Sequence, residues 1–443
     1  MRAFLNLLCL WIVAQMLYFG DFGPDLGFLS QVRPDRVLFI LTTLAFVRLA
    51  LRRELNFPRL TKVEYAMAAV TLLCTVSLVM LKGNDDPTAG KNKWLNALFN
   101  ITYYPFITYG MIRSLPYDRK TLLRMVGLLC VLGAYLSWTG IFEHFQVKAL
   151  VWPGYILDPS LGTHFERSRG PFMESVAMGR VLTITFASFL VMAVELNGAK
   201  RSLAHLAAVL SLVAIYYTYT RGPWLGLALV LGFFLFCRTP LKRVARTLVL
   251  VLCLAAAAGV TGKFSLTKGT LFSQRQNTVD DRVVSYLTTV KILESHPVFG
   301  IGFGRFNRVW DDYYTGVGNL EFGGFDGSHN TFLTMAAEGG VVTLLFYVAV
   351  LCSLTLMCWR MYRRLPEALA FERCFVLMVL AIAAMYSVTG FFSDLRWNLL
   401  QNNLMFMLFG AVASMARAHS VQAFEQTIPE SADDIREYSP SHS

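Results

Sequence analysis

Charged residues are scarce in this 443-residue chain: Asp, Glu, Lys and Arg make up 16% of it, whereas hydrophobic residues make up 55%. Soluble globular domains are about a quarter charged, so the composition excludes an ordinary soluble domain and indicates a protein that crosses a membrane many times. The chain also lacks ten-residue stretches of alternating hydrophobicity, which excludes a membrane β-barrel. Its spanning segments are therefore expected to be helices.

Long apolar runs recur along the whole chain. A helix that crosses the hydrocarbon core needs roughly 20 apolar residues, and the sequence predicts an all-α polytopic fold with about twelve such spans. The predicted spans are 3–20, 35–52, 63–82, 97–113, 121–143, 173–195, 202–219, 223–238, 242–260, 330–359, 371–393 and 397–416. They divide the chain into a region with helices one to nine (1–260), a large outer loop (261–329), a region with helices ten to twelve (330–418) and a disordered acidic tail (419–443).

Lysine and arginine are concentrated in every second loop between the predicted spans, and short basic loops face the cytoplasm. This pattern predicts that both termini are cytoplasmic and that two long loops, about 144–172 and 261–329, face outward. The net charge of +11 follows from this topology, so no nucleic-acid partner is expected. None of the eight cysteines falls in a predicted outer loop and C-x-x-C spacing is absent, so neither a disulfide nor a bound metal is expected.

The large outer loop contains one segment with helical periodicity, NTVDDRVVSYLTTVKILESHP. The sequence predicts an amphipathic helix that is capped by Asp280 or Asp281 and has Arg282 in its first turn. Val283, Tyr286, Leu287, Val290 and Leu293 recur at helical spacing and form its predicted apolar face. The following FGIGFGRFN, with glycines at alternate positions, predicts a tight turn where backbone approaches backbone or ligand closely.

Several arginines accompany one histidine on the predicted outer face. His329 lies in GSHNTF, where the tenth span begins, and Arg221 lies in the short hairpin TRGPWLG. Arg167 and Arg169 end the first long loop, and Arg180 lies inside a span, where an arginine usually faces a polar cavity. Arginine binds phosphate bidentately and histidine exchanges protons near neutral pH. This combination predicts chemistry on a phospholipid-like donor at the outer membrane surface.

Three blocks of the chain resemble, in order and spacing, those of the O-antigen ligase and polymerase superfamily: TRGPWLG, DRVVSYLTTVKILESHPVFGIGFGRF and SHNTFLTMAAEGGVVTLLFY. The resemblance implies a metal-independent, inverting integral-membrane glycosyltransferase without a cofactor. Such an enzyme transfers a glycan from undecaprenyl pyrophosphate to lipid A-core, in ligases, or to another lipid-linked repeat, in polymerases. It also implies that the protein lies in the bacterial inner membrane, among membrane lipids, with its site facing the periplasm.

The resemblance also implies roles for individual residues. Arg221 and Arg282 are expected to hold the pyrophosphate, and His329 is expected to activate the acceptor hydroxyl. Arg169, in an R-G-P-F block, is carried over as a further pyrophosphate ligand. Asn330 is expected either to orient the histidine or a substrate hydroxyl, or to cap the following helix.

Two other classes of protein remain possible from the residues. A polytopic transporter of lipid-linked or anionic substrates fits the spans and buried arginines, although the internal repeats common in transporters are not visible. Metal-dependent glycosyl transfer would use paired aspartates of the outer loops, either Asp85 with Asp86 or Asp311 with Asp312. The sequence does not distinguish a ligase from a polymerase, and it identifies neither the glycan nor the acceptor.

Overall fold

The structure is a computed structural model that describes residues 1–18, 33–80, 93–237, 270–314 and 327–425, with a few further positions between 243 and 249. All regular elements within these ranges are helical. The long helices are α1 (Arg2–Leu17), α2 (Pro34–Leu51), α3 (Lys62–Met80), α4 (Lys93–Leu98), α5 (Tyr104–Arg113), α6 (Arg119–His144), α7 (Ser175–Glu195), α8 (Gly198–Tyr217), α9 (Arg221–Phe236), α10 (Thr270–Ser295), α11 (Phe306–Tyr313), α12 (Thr331–Arg364), α13 (Ala370–Gly390) and α14 (Leu399–Glu425).

The predicted span 242–260 lies almost entirely outside the described residues. Each of the other predicted spans coincides with helical residues. The span 97–113 is formed by α4 and α5, which are joined through a π-helical turn, Phe99–Tyr103. Seven helices in the described ranges are long and apolar enough to cross a membrane, namely α3, α6, α7, α8, α12, α13 and α14. The shorter α1 and α9 are also apolar. The protein is therefore a multi-pass helical membrane protein, and the number of twelve spans stays a prediction.

Helices α7 and α14 form the centre of the bundle together with α13. The share of buried residues is 89% in the apolar windows of α7 and α14, against 17% in that of α3. Helices that are apolar on every face are expected in the interior, where neighbours surround them. Helix α14 continues to Glu425, past the predicted start of the tail at 419, and the rest of the tail lies outside the described residues.

The end of the bundle that is predicted to be cytoplasmic carries basic residues paired with acidic ones. Arg113 pairs with Glu64 at 2.9 Å, and Arg119 pairs with both Glu195 at 2.8 Å and Glu372 at 3.0 Å. These pairs join the ends of five helices. The candidate site residues lie at the opposite helix ends, as the alternating direction of the chain requires.

Helix α12 is broken at Gly340, where the backbone adopts φ 71° and ψ 175°. The break exposes the carbonyl oxygens of Ala337 and Glu338, which accept the N–H groups of Ile301 and Gly302, each at 2.9 Å. In the other direction the N–H of Val341 donates to the carbonyl oxygen of Pro297 at 2.9 Å. A non-helical turn at membrane depth is tolerated where protein satisfies its backbone groups, and the segment 297–302 satisfies them here.

The predicted tight turn in FGIGFGRFN is confirmed. Gly300, Gly302 and Gly304 all have positive φ, at 66°, 105° and 78°. A Cβ on Gly300 would come within 2.5 Å of the carbonyl oxygen of Ala337, and one on Gly304 within 2.6 Å of the Trp94 ring. The turn therefore needs glycine because its backbone approaches other parts of the protein closely.

The prediction for the outer-loop helix was wrong in two respects. Helix α10 begins at Thr270, so neither Asp280 nor Asp281 caps it and Arg282 lies in its middle. The reason is that no glycine or proline interrupts the chain between 270 and 295, so the helix continues through the two aspartates.

The buried face of α10 also differs from the predicted one. Its buried residues are Val284, Ser285, Thr288, Thr289 and Ile292, whereas Val283, Leu287 and Val290 are 42–47% exposed. The buried face of α10 therefore combines small hydroxyl residues with Val284 and Ile292. Val284 and Ile292 form a small core with Ile301, Phe306, Trp310 and Ala337.

Candidate functional site

The segment before α12 is anchored by two buried side chains on either side of the histidine. The Asn330 Oδ1 accepts the N–H groups of Phe332 at 3.0 Å and Leu333 at 3.1 Å, so Asn330 caps α12. Ser328 donates its hydroxyl to the carbonyl oxygen of Asn330 at 3.0 Å and shares a 2.9 Å hydrogen bond with the Thr334 hydroxyl. Of the two roles expected of Asn330, helix capping is the one that this geometry displays.

His329 lies between these two anchors, and its side chain is exposed while Gly327, Ser328 and Asn330 are buried. Its φ of 52° places it in the left-handed region, which costs about 1–3 kcal/mol for a residue other than glycine. Such strain persists only where surrounding contacts fix the backbone. The anchored neighbours supply those contacts, and the result is an imidazole presented at the bundle surface.

The turn between α13 and α14 is hydrogen-bonded to the histidine segment. The N–H and hydroxyl of Thr331 donate to the carbonyl oxygen of Ser393 at 3.2 and 2.8 Å. The N–H of Leu395 in turn donates to the Thr331 hydroxyl at 2.9 Å. The first residue of α12 is therefore tied to this turn in both directions.

A buried arginine occupies the centre of the same turn. Arg396 is 0% exposed and pairs with Glu338 of α12 and with Asp394, whose Oδ2 lies 2.6 Å from its Nη2. Its guanidinium carbon lies 5.6–5.9 Å from the ring centres of Trp94, Phe303 and Trp397, which adds cation–π attraction.

These charges keep Arg396 ionised. Burial lowers the pKa of its guanidinium, but the charges of Asp394 and Glu338 more than offset the burial, so the pKa is raised above its ordinary value. Gly327 packs directly on this group: an added Cβ would lie 2.7 Å from Asp394 Oδ2 and 2.8 Å from Arg396 Nη2. The segment that carries His329 thus packs on a buried ionic cluster of Arg396, Asp394 and Glu338. The sequence analysis did not predict this cluster. The available signal was an arginine in a short loop, FFSDLRWN, between two spans.

Arg221 is the first residue of α9, and its side chain is exposed. The free amides and the dipole of a helix start attract anions, and Arg221 adds a full positive charge there. The start of α9 is fixed against α7, because a Cβ on Gly179 would lie 2.6 Å from the ring of Pro223. The exposed side chain of Arg221 is therefore held by a rigid helix start.

Arg282 lies within α10, one turn before Tyr286. The Tyr286 hydroxyl donates to the carbonyl oxygen of Phe391 at 2.9 Å, two residues before Ser393. One helical turn is about 5.4 Å along the axis. The Arg282 position therefore lies one helical turn from the residue of α10 that contacts the turn between α13 and α14.

Arg169 is fully buried and holds the first long outer loop together. Its Nη1 donates to the carbonyl oxygen of Leu161 at 2.5 Å, and its Nη2 donates to those of Ile156 at 2.9 Å and Asp158 at 3.2 Å. Its Nε lies 3.6 Å from Glu143 Oε1. Burial lowers the pKa of Arg169 below its ordinary value, and Glu143 opposes that change. The structure does not bring this guanidinium together with His329.

Among the aspartates of the metal-dependent alternative, Asp311 and Asp312 are exposed at the end of α11. Asp85 and Asp86 lie outside the described residues. The seven cysteines in the described ranges are free, and no group of three histidine, cysteine or acidic residues in those ranges is arranged to hold a metal ion.

The fold is that of a polytopic helical membrane protein, with exposed side chains of His329 and Arg221 at the same end of its bundle. Residues 206–348 match the family model described as O-antigen ligase. The match confirms the resemblance to the O-antigen ligase superfamily. It includes Arg221, Arg282, His329 and Asn330, whereas Arg169 lies outside it. No curated protein matches the chain.

Proposed function

We propose that the protein is an O-antigen ligase-like glycosyltransferase of the bacterial inner membrane. It moves a glycan from undecaprenyl pyrophosphate to an acceptor hydroxyl, with lipid A-core as the acceptor, on the periplasmic side. The observation that carries the proposal is the exposed imidazole of His329 on an anchored segment, which is hydrogen-bonded through Thr331 to the turn that also contacts the helix of Arg282. The family match over the same residues supports it.

In the proposed reaction His329 accepts the proton of the acceptor hydroxyl as its oxygen attacks the anomeric carbon. The bond from that carbon to the pyrophosphate oxygen breaks on the opposite face, so the configuration inverts. Undecaprenyl pyrophosphate leaves with the bonding electrons, and Arg221 and Arg282 stabilise its negative charge. Two guanidinium groups thus supply the charge that a divalent ion would otherwise supply.

The proposed reaction is tested by reconstituting the purified protein in liposomes with an undecaprenyl-pyrophosphate glycan and lipid A-core. We expect one glycan per acceptor, formed equally well in the presence of EDTA. A ladder of lengthening glycans on the lipid-linked donor would assign a repeat-unit polymerase instead. Inhibition by EDTA that a divalent ion reverses would favour the aspartate-based mechanism, and transport of the donor without any new glycosidic bond would favour a transporter.

The proposed orientation has its own test. Single cysteines at Thr163, in the first long outer loop, and at Arg53, at the opposite end, are introduced into a cysteine-free variant; both positions are exposed. In right-side-out vesicles an impermeant thiol reagent should label position 163 and leave position 53 unlabelled. The reverse pattern would place His329 on the cytoplasmic side and exclude a periplasmic site.

A further inference from the structure

Arg180 is a buried arginine that the proposed reaction does not yet use. It is the sixth residue of α7, about 8 Å along the axis from the outer end of that helix, and it is 1% exposed. Its Nη1 donates to Gln401 Oε1 at 3.4 Å, which is long for a hydrogen bond. Its Nε has no hydrogen-bond partner within the described part of the chain.

The other two fully buried arginines have several protein acceptors within hydrogen-bond distance, although the Nε of Arg169 also lacks one. Arg169 donates to three carbonyl oxygens, and Arg396 pairs with two carboxylates. For Arg180, by contrast, no ion pair within 4.0 Å occurs in the described ranges, and the carboxyl of Glu174 attracts it only from a longer distance. The amide nitrogen of its partner Gln401 is also buried without a hydrogen-bond acceptor. Two donors of neighbouring buried side chains therefore lack an acceptor in the described part of the chain, and burying such groups is costly unless they are paired.

The position of these donors relates them to the proposed site. Gly179, the neighbour of Arg180, packs on Pro223, whose helix begins with Arg221. Gln401 lies in the first turn of α14, immediately after the turn that contains Arg396. Arg180 and Gln401 thus lie between the start of α9 and the turn that supports His329, and further into the membrane than either.

We infer that Arg180 and Gln401 form an inner anion subsite that binds the lipid-proximal phosphate of the donor. This inference rests on the proposed function, which supplies a pyrophosphate bound to a polyprenyl chain. The lipid-proximal phosphate lies deeper than the sugar-proximal one because its chain enters the hydrocarbon. The Nε and Nη edge of a guanidinium binds two phosphate oxygens, and the Gln401 amide can donate to one of them.

The inference is tested by measuring the binding of undecaprenyl phosphate, a donor fragment that carries only the inner phosphate, to the detergent-solubilised protein. Arg180→Met keeps the length of the side chain and removes its charge, so affinity should fall by about tenfold or more, and Gln401→Leu should weaken binding to a smaller extent. Because the carboxyl of Glu174 attracts Arg180 electrostatically, the thermal midpoint of each variant is measured beside its affinity, so that a structural effect is separated from a loss of binding.

Arg113→Met is the matched control. Arg113 lies at the opposite end of the bundle and pairs with Glu64 at 2.9 Å, so its replacement should lower the thermal midpoint and leave the affinity unchanged. Wild-type affinity in both Arg180→Met and Gln401→Leu would overturn the subsite, as would a lowered midpoint of Arg180→Met with unchanged binding, since that result assigns a structural role. A wild-type protein that binds neither undecaprenyl phosphate nor inorganic pyrophosphate would overturn the proposed function as well.

Discussion

Gly340 breaks helix α12 at the point where the carbonyl group of Val298 occupies the space that a side chain would need. Val298 lies just before the glycine turn at 300–304, and the contact packs that turn against the break of the helix. Because Glu338 lies two residues before the break and pairs with Arg396, the same contact also fixes the ionic cluster beneath the histidine segment.

Gly340→Ala should therefore destabilise the protein by about 3 kcal/mol or more, since the backbone region at φ 71° and ψ 175° is almost restricted to glycine. The thermal midpoint of the purified protein measures the loss. Gly232→Ala, in α9, is the control because no atom of a neighbouring side chain lies within 4 Å of the added Cβ. Equal midpoints for the two variants would show that the break relaxes at little cost.

Apolar length predicted the helices but not this break. Residues 330–359 form one continuous apolar span by hydropathy, whereas the structure divides the region at Gly340. The break is stabilised by hydrogen bonds from residues 297–302, which lie some forty positions earlier, and no local pattern encodes that contact. The failed prediction for α10 has a related cause, since its buried face depends on contacts of Val284 and Ile292 with residues 301–310 and with Ala337 of α12, which the local sequence does not encode.

Removing the charge of Arg396 should be strongly destabilising. Arg396→Met leaves the carboxylates of Glu338 and Asp394 buried without their cation, and breaking a buried pair in this way costs about 3–5 kcal/mol. The thermal midpoint and the amount of protein recovered from membranes should both fall. Arg364→Met, at an exposed position at the other end of α12, is the control and should have the thermal midpoint of the wild type. An equally high midpoint for Arg396→Met would show that the ionic cluster does not stabilise the fold.

Glu143 should determine the order of the first long outer loop. Its Oε2 accepts the N–H groups of Arg169 at 2.9 Å and Gly170 at 2.7 Å, so Glu143→Ala leaves two buried donors unsatisfied at about 1–3 kcal/mol each. Limited proteolysis should then cut within 145–172 faster than in the wild type. Glu166→Ala, at an exposed position of the same loop, is the control. Identical cleavage rates for the two variants would show that Glu143 does not order this loop.

The sequence placed the site residues at one end of the bundle but could not assign their individual tasks. His329 and Arg221 are exposed there, in agreement with their expected positions. Arg169 has the same residue type and a similar motif context, yet its guanidinium donates to backbone carbonyls. The spacing of residues along the chain does not predict that the backbone of residues 156–161 folds back onto Arg169. The structure shows this path.

The two proposed pyrophosphate arginines should not tolerate lysine. Arg221→Lys and Arg282→Lys keep the charge but lose the planar fork that binds two phosphate oxygens at once. Each variant should lose most of its glycan transfer in the liposome assay while its thermal midpoint stays close to that of the wild type. Arg308→Lys, in α11, should transfer at the normal rate. Normal turnover of both site variants would contradict bidentate binding of the pyrophosphate and would leave only a general effect of positive charge on donor binding.

Replacement of His329 should separate binding from chemistry. His329→Ala removes the proposed base, which typically costs about 10²–10⁴-fold in rate, but it leaves the arginines in place, so the lipid-linked donor should still bind. The wild-type rate should fall as the pH is lowered through the titration of a histidine, because a protonated imidazole cannot accept the hydroxyl proton. The residual activity of His329→Ala should lack this acid limb. A variant with full activity and an unchanged acid limb would mean that His329 is a surface histidine without a role in transfer, and the base would have to be another group.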